Sequence, residues 1–202
     1  YASIFRIGVL LLAGLVLAAG ASQRFGSPKP LALFRGVALV RRATTLLAGC
    51  CAAGVYVVTG TAGPAIRELL AADEVQLVAN PDWASGMASS LACGMAALPA
   101  KVDAVLVMPC DLPLVSGDDL ARLVAAWRTA PELMAAAEFD AHPAPPAIFP
   151  RVVWPQLALL RGDQGARALL ESALQHTAVP MPSAALDADT PAELARLERS
   201  LG

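Results

Sequence analysis

Two hydrophobic periods take turns along this chain, one of strands buried on both faces and one of helices with a single apolar face. Near-continuous aliphatic runs at 9–18, 54–59 (GVYVVT), 75–79 (VQLVA) and 103–108 (DAVLVM) predict buried strands. Between them, apolar residues at helical spacing predict helices over 37–49, 63–72, 86–98, 117–128, 151–160, 164–175 and 190–200. In the 117–128 segment, Leu120, Leu123, Val124 and Trp127 share one face, and Ser116 stands where an N-cap belongs. Weaker strand patterns at 132–137 and 146–149 flank the proline-rich stretch from His142 to Pro146, which is expected to be a loop. Strands alternating with helices over short connections predict an α/β fold with a mostly parallel sheet.

In an open parallel sheet the ligand sits beyond the carboxyl ends of the strands. The segment after residue 18, Asn80 to Met87, and Pro109 to Pro113 all follow predicted strands directly. They are therefore expected to meet at one edge of the sheet.

Composition narrows the function classes. A chain of 202 residues is long enough for one domain with its own core, and no internal repeat or linker divides it. Hydrophobic residues make up 56% and charged residues 16%, with a mean hydropathy of +0.57. A net charge of −2 gives no basic face for nucleic acid, although local basic loops remain able to hold a phosphorylated small molecule. Cys50, Cys51, Cys93 and Cys110 form no CxxC pair and read as free thiols in a reducing cytoplasm. Arg6, an apolar run and Ala19-Gly20-Ala21 mimic a secretory leader, but cleavage there would delete the first strand. The run is also short for a membrane span. Residues 1–13 read as a leader or extended N-terminus, and 14–202 as one domain.

The stretch from Leu15 to Lys29, LVLAAGASQRFGSPK, carries the strongest chemical signal. Small residues after a buried strand let backbone N–H groups approach a ligand, and Arg24 and Lys29 add fixed positive charge for phosphates. Neither GxxxxGK[ST] nor GxGxxG is present, which argues against a P-loop and against an NAD-binding domain. A second signal is MPCDLPLV, residues 108–115, where Asp111 sits in a stiff turn between Pro109 and Pro113. It reads either as a carboxylate for Mg²⁺ on a triphosphate or as a simple turn cap. In the third, NPDWASGMASSLACGM (80–95), a helix begins near Ser85 or Gly86, and its first-turn N–H groups are open to a base or phosphate. Its serines also read as plain caps, and Trp83 as a lid or as partly buried core. Neither His142 nor His176 has a plausible metal partner, and the charge of Asp111 argues against a reactive Cys110 thiolate.

These motifs resemble the molybdenum-cofactor nucleotidyltransferase superfamily. Its signature LxAGxSxRxGxxK is filled by Leu17, Ala19, Gly20, Ser22, Arg24, Gly26 and Lys29. The resemblance covers the chain from Gly14 onward. It implies a three-layer α/β/α nucleotide-binding sandwich similar to the glycosyltransferase-A and nucleotidyltransferase class. It also implies a transferase that moves a nucleotidyl group and releases pyrophosphate, with Mg²⁺ as cofactor. By the resemblance, Lys29 and Arg24 meet the triphosphate, Asp111 holds the metal, and the loop from Leu17 through Ala18, Ala19, Gly20 and Ala21 to Ser22 cradles the nucleotide. Ser90, with Ser89 close by, aligns with the serine that holds the base in related cytidylyltransferases. LRGDQGARALL (160–170), with PPAIFPR before it, resembles the acceptor-facing region of the molybdopterin cytidylyltransferase branch, and Asp163 and Arg167 are its candidate substrate-binding residues. That branch often carries glycines where this chain has Phe139-Asp140-Ala141-His142-Pro143. In LDADTPAELARL (186–197), Asp187 or Asp189 is a candidate second metal carboxylate, while Asp189 or Thr190 caps the last helix.

LAAG in place of LAGG is associated with the cytidylyl branch, so the resemblance implies CTP and a molybdopterin-type acceptor, with transient contact to a molybdoenzyme. Rival readings are GTP or another NTP with another phosphorylated acceptor, and a non-catalytic cofactor carrier for a xanthine-dehydrogenase-type enzyme. No nucleic-acid or membrane partner is expected.

Overall fold

The computed structural model describes residues 9–173 and 175–200. Strands β1 (Leu12–Ala18), β4 (Val55–Thr59), β5 (Val75–Ala79) and β6 (Ala104–Pro109) form where the aliphatic runs predicted them. A short hairpin, β2 (Leu33–Phe34) and β3 (Val37–Ala38), precedes α1 (Leu39–Ala48). The remaining elements are α2 (Gly63–Leu69), α3 (Met87–Ala96), α4 (Gly117–Thr129), β7 (Ala135–Phe139), β8 (His142–Pro150), α5 (Trp154–Leu157), α6 (Ala166–Ser172), β9 (Thr177–Pro180) and α7 (Pro191–Ser200).

Seven strands form one sheet in the order β5-β4-β1-β6-β8-β7-β9. Strand β8 runs against both β6 and β7, while every other pairing in this sheet is parallel. The sheet is therefore mostly parallel, as expected. From β1 the chain moves outward to β4 and β5, then returns to place β6 on the other side of β1. That reversal opens a crevice beyond the carboxyl ends of β1 and β6, the usual ligand position in such sheets.

Alternate residues of β1 enter different cores. Leu12 and Val16 pack with α1, α2 and α4 residues such as Val40, Ile66 and Trp127. Ala13 and Leu15 pack with Leu91 of α3, Leu157 of α5 and Leu170 of α6. Three layers result, each fully buried leucine contributing about 1.5–3 kcal/mol. Gly94 lets α3 lie close on the sheet, because a Cβ there would come within 2.6 Å of Leu15 Cδ1. A smaller cluster of Phe25, Phe34, Leu39, Leu194 and Leu197 ties α7 to the hairpin and to the loop after β1.

Several expectations change. Strand β1 begins at Leu12, so Leu12 and Ala13, read as part of the leader, are buried strand residues; residues 1–8 lie outside the described residues. The predicted 151–160 helix is a 3-10 turn over Arg151–Val153 followed by one turn of α5, and the 164–175 helix shortens to Ala166–Ser172. Strand β9 was not expected at all.

The largest change is His142–Pro146, which lies within β8 rather than in a loop. Pairing of β8 with β6 spans only Ala147 to Pro150, so the preceding prolines face no ladder on that side. Against β7 the register jumps between Ala136 and Ala137, from Ala147 to Ala144, and skips Pro145 and Pro146. Prolines are tolerated in strands at such bulges and unpaired edges, where no N–H is required. Asp140 and Ala141 close the hairpin at φ 50° and 61°, as a two-residue hairpin turn demands. Asp and Ala make this turn here, at about 1–2 kcal/mol for the alanine.

Candidate active site

A cleft of about 760 Å³ opens where β1 and β6 end. All nucleotide-loop candidates line it: Leu17, Ala18, Ala19, Gly20, Ala21 and Ser22, with Arg24 and Lys29. The Cys110 N–H donates to the Leu17 carbonyl at 3.3 Å, extending the β1–β6 ladder to the rim. Beyond it the loop folds back on Ser22, whose φ is 52°. The Ser22 carbonyl accepts from the Phe25 and Gly26 N–H groups, and its Oγ accepts from the Lys29 N–H at 3.0 Å. Phe25 is buried and anchors the far side of this turn. Lys29 is thereby delivered to the strand ends.

Its ammonium is shared. Lys29 Nζ donates to Asp111 Oδ2 at 2.7 Å and to Asp189 Oδ1 at 2.8 Å, and Arg24 Nη2 lies 2.7 Å from Asp189 Oδ2. Burial alone lowers the Lys29 pKa, but Asp111 and Asp189 overcome it and hold the pKa above the ordinary value. The hydrogen bond from Lys29 holds the Asp189 carboxyl below its ordinary range against some burial, with the charges of Lys29 and Arg24 adding to it. Asp187 is raised instead, first by burial and then by the charges of Asp189 and Asp111.

The C-terminal segment reaches the site because the Ala188 N–H donates to the Asp111 carbonyl at 3.1 Å. Capping of α7 falls to Thr190: its Oγ1 accepts from the Glu193 N–H, and Glu193 Oε2 accepts from the Thr190 and Asp189 N–H groups. The Asp189 side chain is left free for the cations. Of the two capping readings, Thr190 is the one realised.

Asp111, Asp187 and Asp189 all line the cleft. Among the described residues no group of three or more His, Cys, Asp or Glu side chains is arranged to hold a metal by itself. The donor set is nonetheless the kind Mg²⁺ uses, one or two carboxylates completed by phosphate oxygens and water.

On the opposite wall Trp83, Gly86, Met87 and Ser90 face the same space. Trp83 is partly buried against the second core, as its core reading expects, and it also lines the cleft. Gly86 adopts φ 109°, and a Cβ there would fall 2.3 Å from the Gly162 carbonyl. The Ala88 N–H donates to that carbonyl at 3.0 Å. This docking brings Asp163 to the cleft. Arg167 is not among the lining residues; its Nε pairs with Glu171 at 2.7 Å on the exposed side of α6. Of the two acceptor-side candidates, the structure brings Asp163 to the cleft and leaves Arg167 on the surface of α6, beside its i,i+4 partner.

Sequence reasoning missed Asn80 and the Gly86–Gly162 contact. A buried asparagine directly after a strand was a readable signal for the first, because its amide must be satisfied. Nothing local marks the second. Cys110 is buried, and burial with Asp111 pushes its thiol pKa up, in line with the expected lack of a reactive thiolate.

Comparisons agree with this geometry. The description "MobA-like NTP transferase domain" matches residues 14–179. Nicotine blue oxidoreductase of Paenarthrobacter nicotinovorans is 34% identical over 167 residues, covering 78% of this chain and 80% of that protein. A Mycobacterium sp. strain JC1 homolog of Mycobacterium tuberculosis Rv0371c superposes with a TM-score of 0.81 at 28% identity, over 94% of this chain and 96% of its own. The manganese complex of Rv0371C from Mycobacterium tuberculosis gives a TM-score of 0.78 at 25% identity, over 94% and 99%. With the signature loop, the switch-point crevice and these matches in agreement, the chain belongs to the MobA-like NTP transferase family, the nucleotidyltransferases.

Proposed function

We propose that this nucleotidyltransferase moves CMP from CTP to the molybdenum-bearing molybdopterin cofactor, releases pyrophosphate and yields the cytosine dinucleotide form. The observation that carries this reading is the Lys29 ammonium, shared by Asp111 and Asp189 beside a backbone loop of small residues. An ammonium held by two carboxylates in the free protein is poised to exchange one of them for a phosphate.

In the proposed reaction an acceptor phosphate oxygen attacks the α-phosphorus of CTP, and the bond to the pyrophosphate oxygen breaks. Such displacements depend on positioning and charge neutralisation more than on covalent help from the protein. Lys29 and Arg24 meet the triphosphate and the charge growing on the leaving group. The backbone from Leu17 to Ser22 lies along the nucleotide, and the Ala19 side chain leaves room for a pyrimidine rather than a purine. Ser90 holds the base. Asp111, with Asp189 and Asp187, would hold Mg²⁺, which when bound supplies charge neutralisation at the phosphates. The structural relative solved with manganese supports a divalent ion in this fold. Asp163 remains as the acceptor-side residue. We place the reaction in the cytoplasm, with delivery of product to a molybdoenzyme. No helix among the described residues is long and apolar enough to cross a membrane.

A second reading, an oxidoreductase working on a nucleotide cofactor in the same cleft, is favoured by the name of the 34% identical relative. Thermal unfolding with Mg²⁺ and CTP, GTP, ATP or UTP, followed by a pyrophosphate-release assay with molybdenum cofactor, separates the readings. A ligand at a hundredfold excess over its Kd adds about 2.7 kcal/mol. A shift with CTP and pyrophosphate release upholds the proposal. A shift with GTP overturns the choice of nucleotide. Binding without pyrophosphate release leaves the oxidoreductase or carrier reading.

A further inference from the structure

Asn80, just past β5, is buried to 5% exposure, and its amide is fully engaged. Its Oδ1 accepts from the Asp82 N–H at 3.0 Å. A backbone N–H only donates, so that contact decides which end of the amide is oxygen. The Nδ2 end must then face α3, where it donates to Ser89 Oγ at 2.9 Å and to Ser90 Oγ at 3.1 Å. Ser89 directs its own proton to the backbone carbonyls of Asp82 and Gly86, at 2.9 and 2.8 Å. Ser90 donates to no group among the described residues, is itself 5% exposed and lines the cleft.

From this chain of donors and acceptors we infer that Asn80 is a positioning residue that sets the hydrogen-bond polarity of Ser90, so that the cleft presents a hydroxyl donor to an acceptor atom on the base edge. The polarity is inherited step by step from one backbone N–H. With one Oγ lone pair occupied by Asn80, donation into the cleft is the favoured use of the Ser90 proton. A cytosine ring offers adjacent acceptors, O2 and N3, to such a donor. Uracil carries a donor at N3, so a hydroxyl committed to donation meets only one of the two atoms. This inference rests on the cytidylyl reading for the identity of the base, but not for the polarity itself.

The test is a double-mutant cycle read by nucleotide binding. Asn80→Asp keeps the size and the acceptor for the Asp82 N–H, yet a carboxylate accepts from Ser90 and turns the serine proton away from the ligand. Asn80→Ala, uncharged, is the second variant should the carboxylate unfold the protein, with unliganded thermal midpoints as the check. The Kd for CTP rises about tenfold in either variant and in Ser90→Ala. The doubles with Ser90→Ala bind no more weakly than Ser90→Ala alone. In pyrophosphate release the loss falls on the KM for CTP, while kcat at saturation stays within about threefold, because neither side chain meets the transferred phosphorus. Wild-type affinity in both Asn80 variants, or losses that multiply in the doubles, overturns the inference while leaving the cytidylyl reading intact. If the wild type prefers another nucleotide, the cytidylyl reading fails. The same cycle run with that nucleotide then upholds the Asn80 inference by non-additivity or overturns it by additivity.

Discussion

Lys29 and Asp111 stand 82 positions apart in the sequence and 2.7 Å apart at their charged atoms. Their side chains are only 15% and 21% exposed, so the pair sits in a dampened dielectric where each charge depends on the other. Asp189 shares the same ammonium from the far end of the chain. Three motifs separated in sequence therefore meet as one electrostatic unit, and each can be tested by itself.

Replacing Asp111 by alanine is expected to leave the fold intact and cut Mg²⁺-dependent pyrophosphate release by about a thousandfold. Circular dichroism and a steady-state assay check the two halves of that statement. Activity near the wild-type level would remove Asp111 from the metal site.

Lys29→Met removes the ammonium and leaves Asp111 and Asp189 facing each other across the gap. Partly buried charges that lose their partner cost about 1–3 kcal/mol, which lowers the midpoint by roughly 2–12 °C in a chain of this length. Pyrophosphate release is lost as well. A variant as stable as the wild type would mean that the pair is solvent-screened.

The carboxylates respond to pH in opposite senses. Asp189 titrates below its unfolded value of 3.8, so its stabilisation is present above that value and disappears as the pH falls through the lower folded one. Asp187 titrates above 3.8 in the folded protein, so its ionisation costs stability as the pH rises past 3.8. Without metal, Asp187→Asn therefore stabilises the protein at neutral pH, and the gain vanishes below 3.8. Lys29 titrates above 10.5, so its share is full below that value and is lost only as the pH rises through its folded one. Denaturant unfolding in a chelating buffer across acid and neutral pH measures these differences.

Gly86→Ala places a methyl group 2.3 Å from the Gly162 carbonyl and forces a side chain onto φ 109°. At least about 2 kcal/mol of stability is lost, and the midpoint falls by roughly 4–8 °C. The acceptor KM rises along with it, because Asp163 is displaced from the cleft wall. Calorimetry and acceptor titration read the two effects separately.

Arg167→Ala removes an exposed pair with Glu171 and nothing that lines the cleft. Stability changes by less than about 0.5 kcal/mol, and the acceptor KM stays within about twofold. A tenfold rise would return Arg167 to the substrate.

The four aliphatic strands and the Leu120–Trp127 helix face were legible because burial on both faces, or on one, leaves its period in the residues themselves. The small-residue loop that lines the cleft was legible for a related reason: a run of small residues after a buried strand is visible over consecutive positions. The first half of β8, His142 to Pro146, was not. Its prolines argue locally for a loop, and only the short reach of β6 and the bulge opposite Ala136 and Ala137 make a strand acceptable there. The surface position of Arg167 was not legible either, because a helix start near a glycine turn says nothing about which way a side chain points.

By itself, the sequence determined the α/β alternation, the strand ends that meet at one edge, and the candidate charged residues there, Lys29, Arg24 and Asp111. Tertiary structure alone decided that Asp189 joins Lys29 while Thr190 caps α7, that Asn80 governs Ser90, and that Gly86 docks the loop bearing Asp163. The division is physical. Periodicity and small-residue runs are imposed on neighbours in the chain, whereas a shared ammonium or a donor relay exists only once distant backbone segments have been brought to one sheet edge.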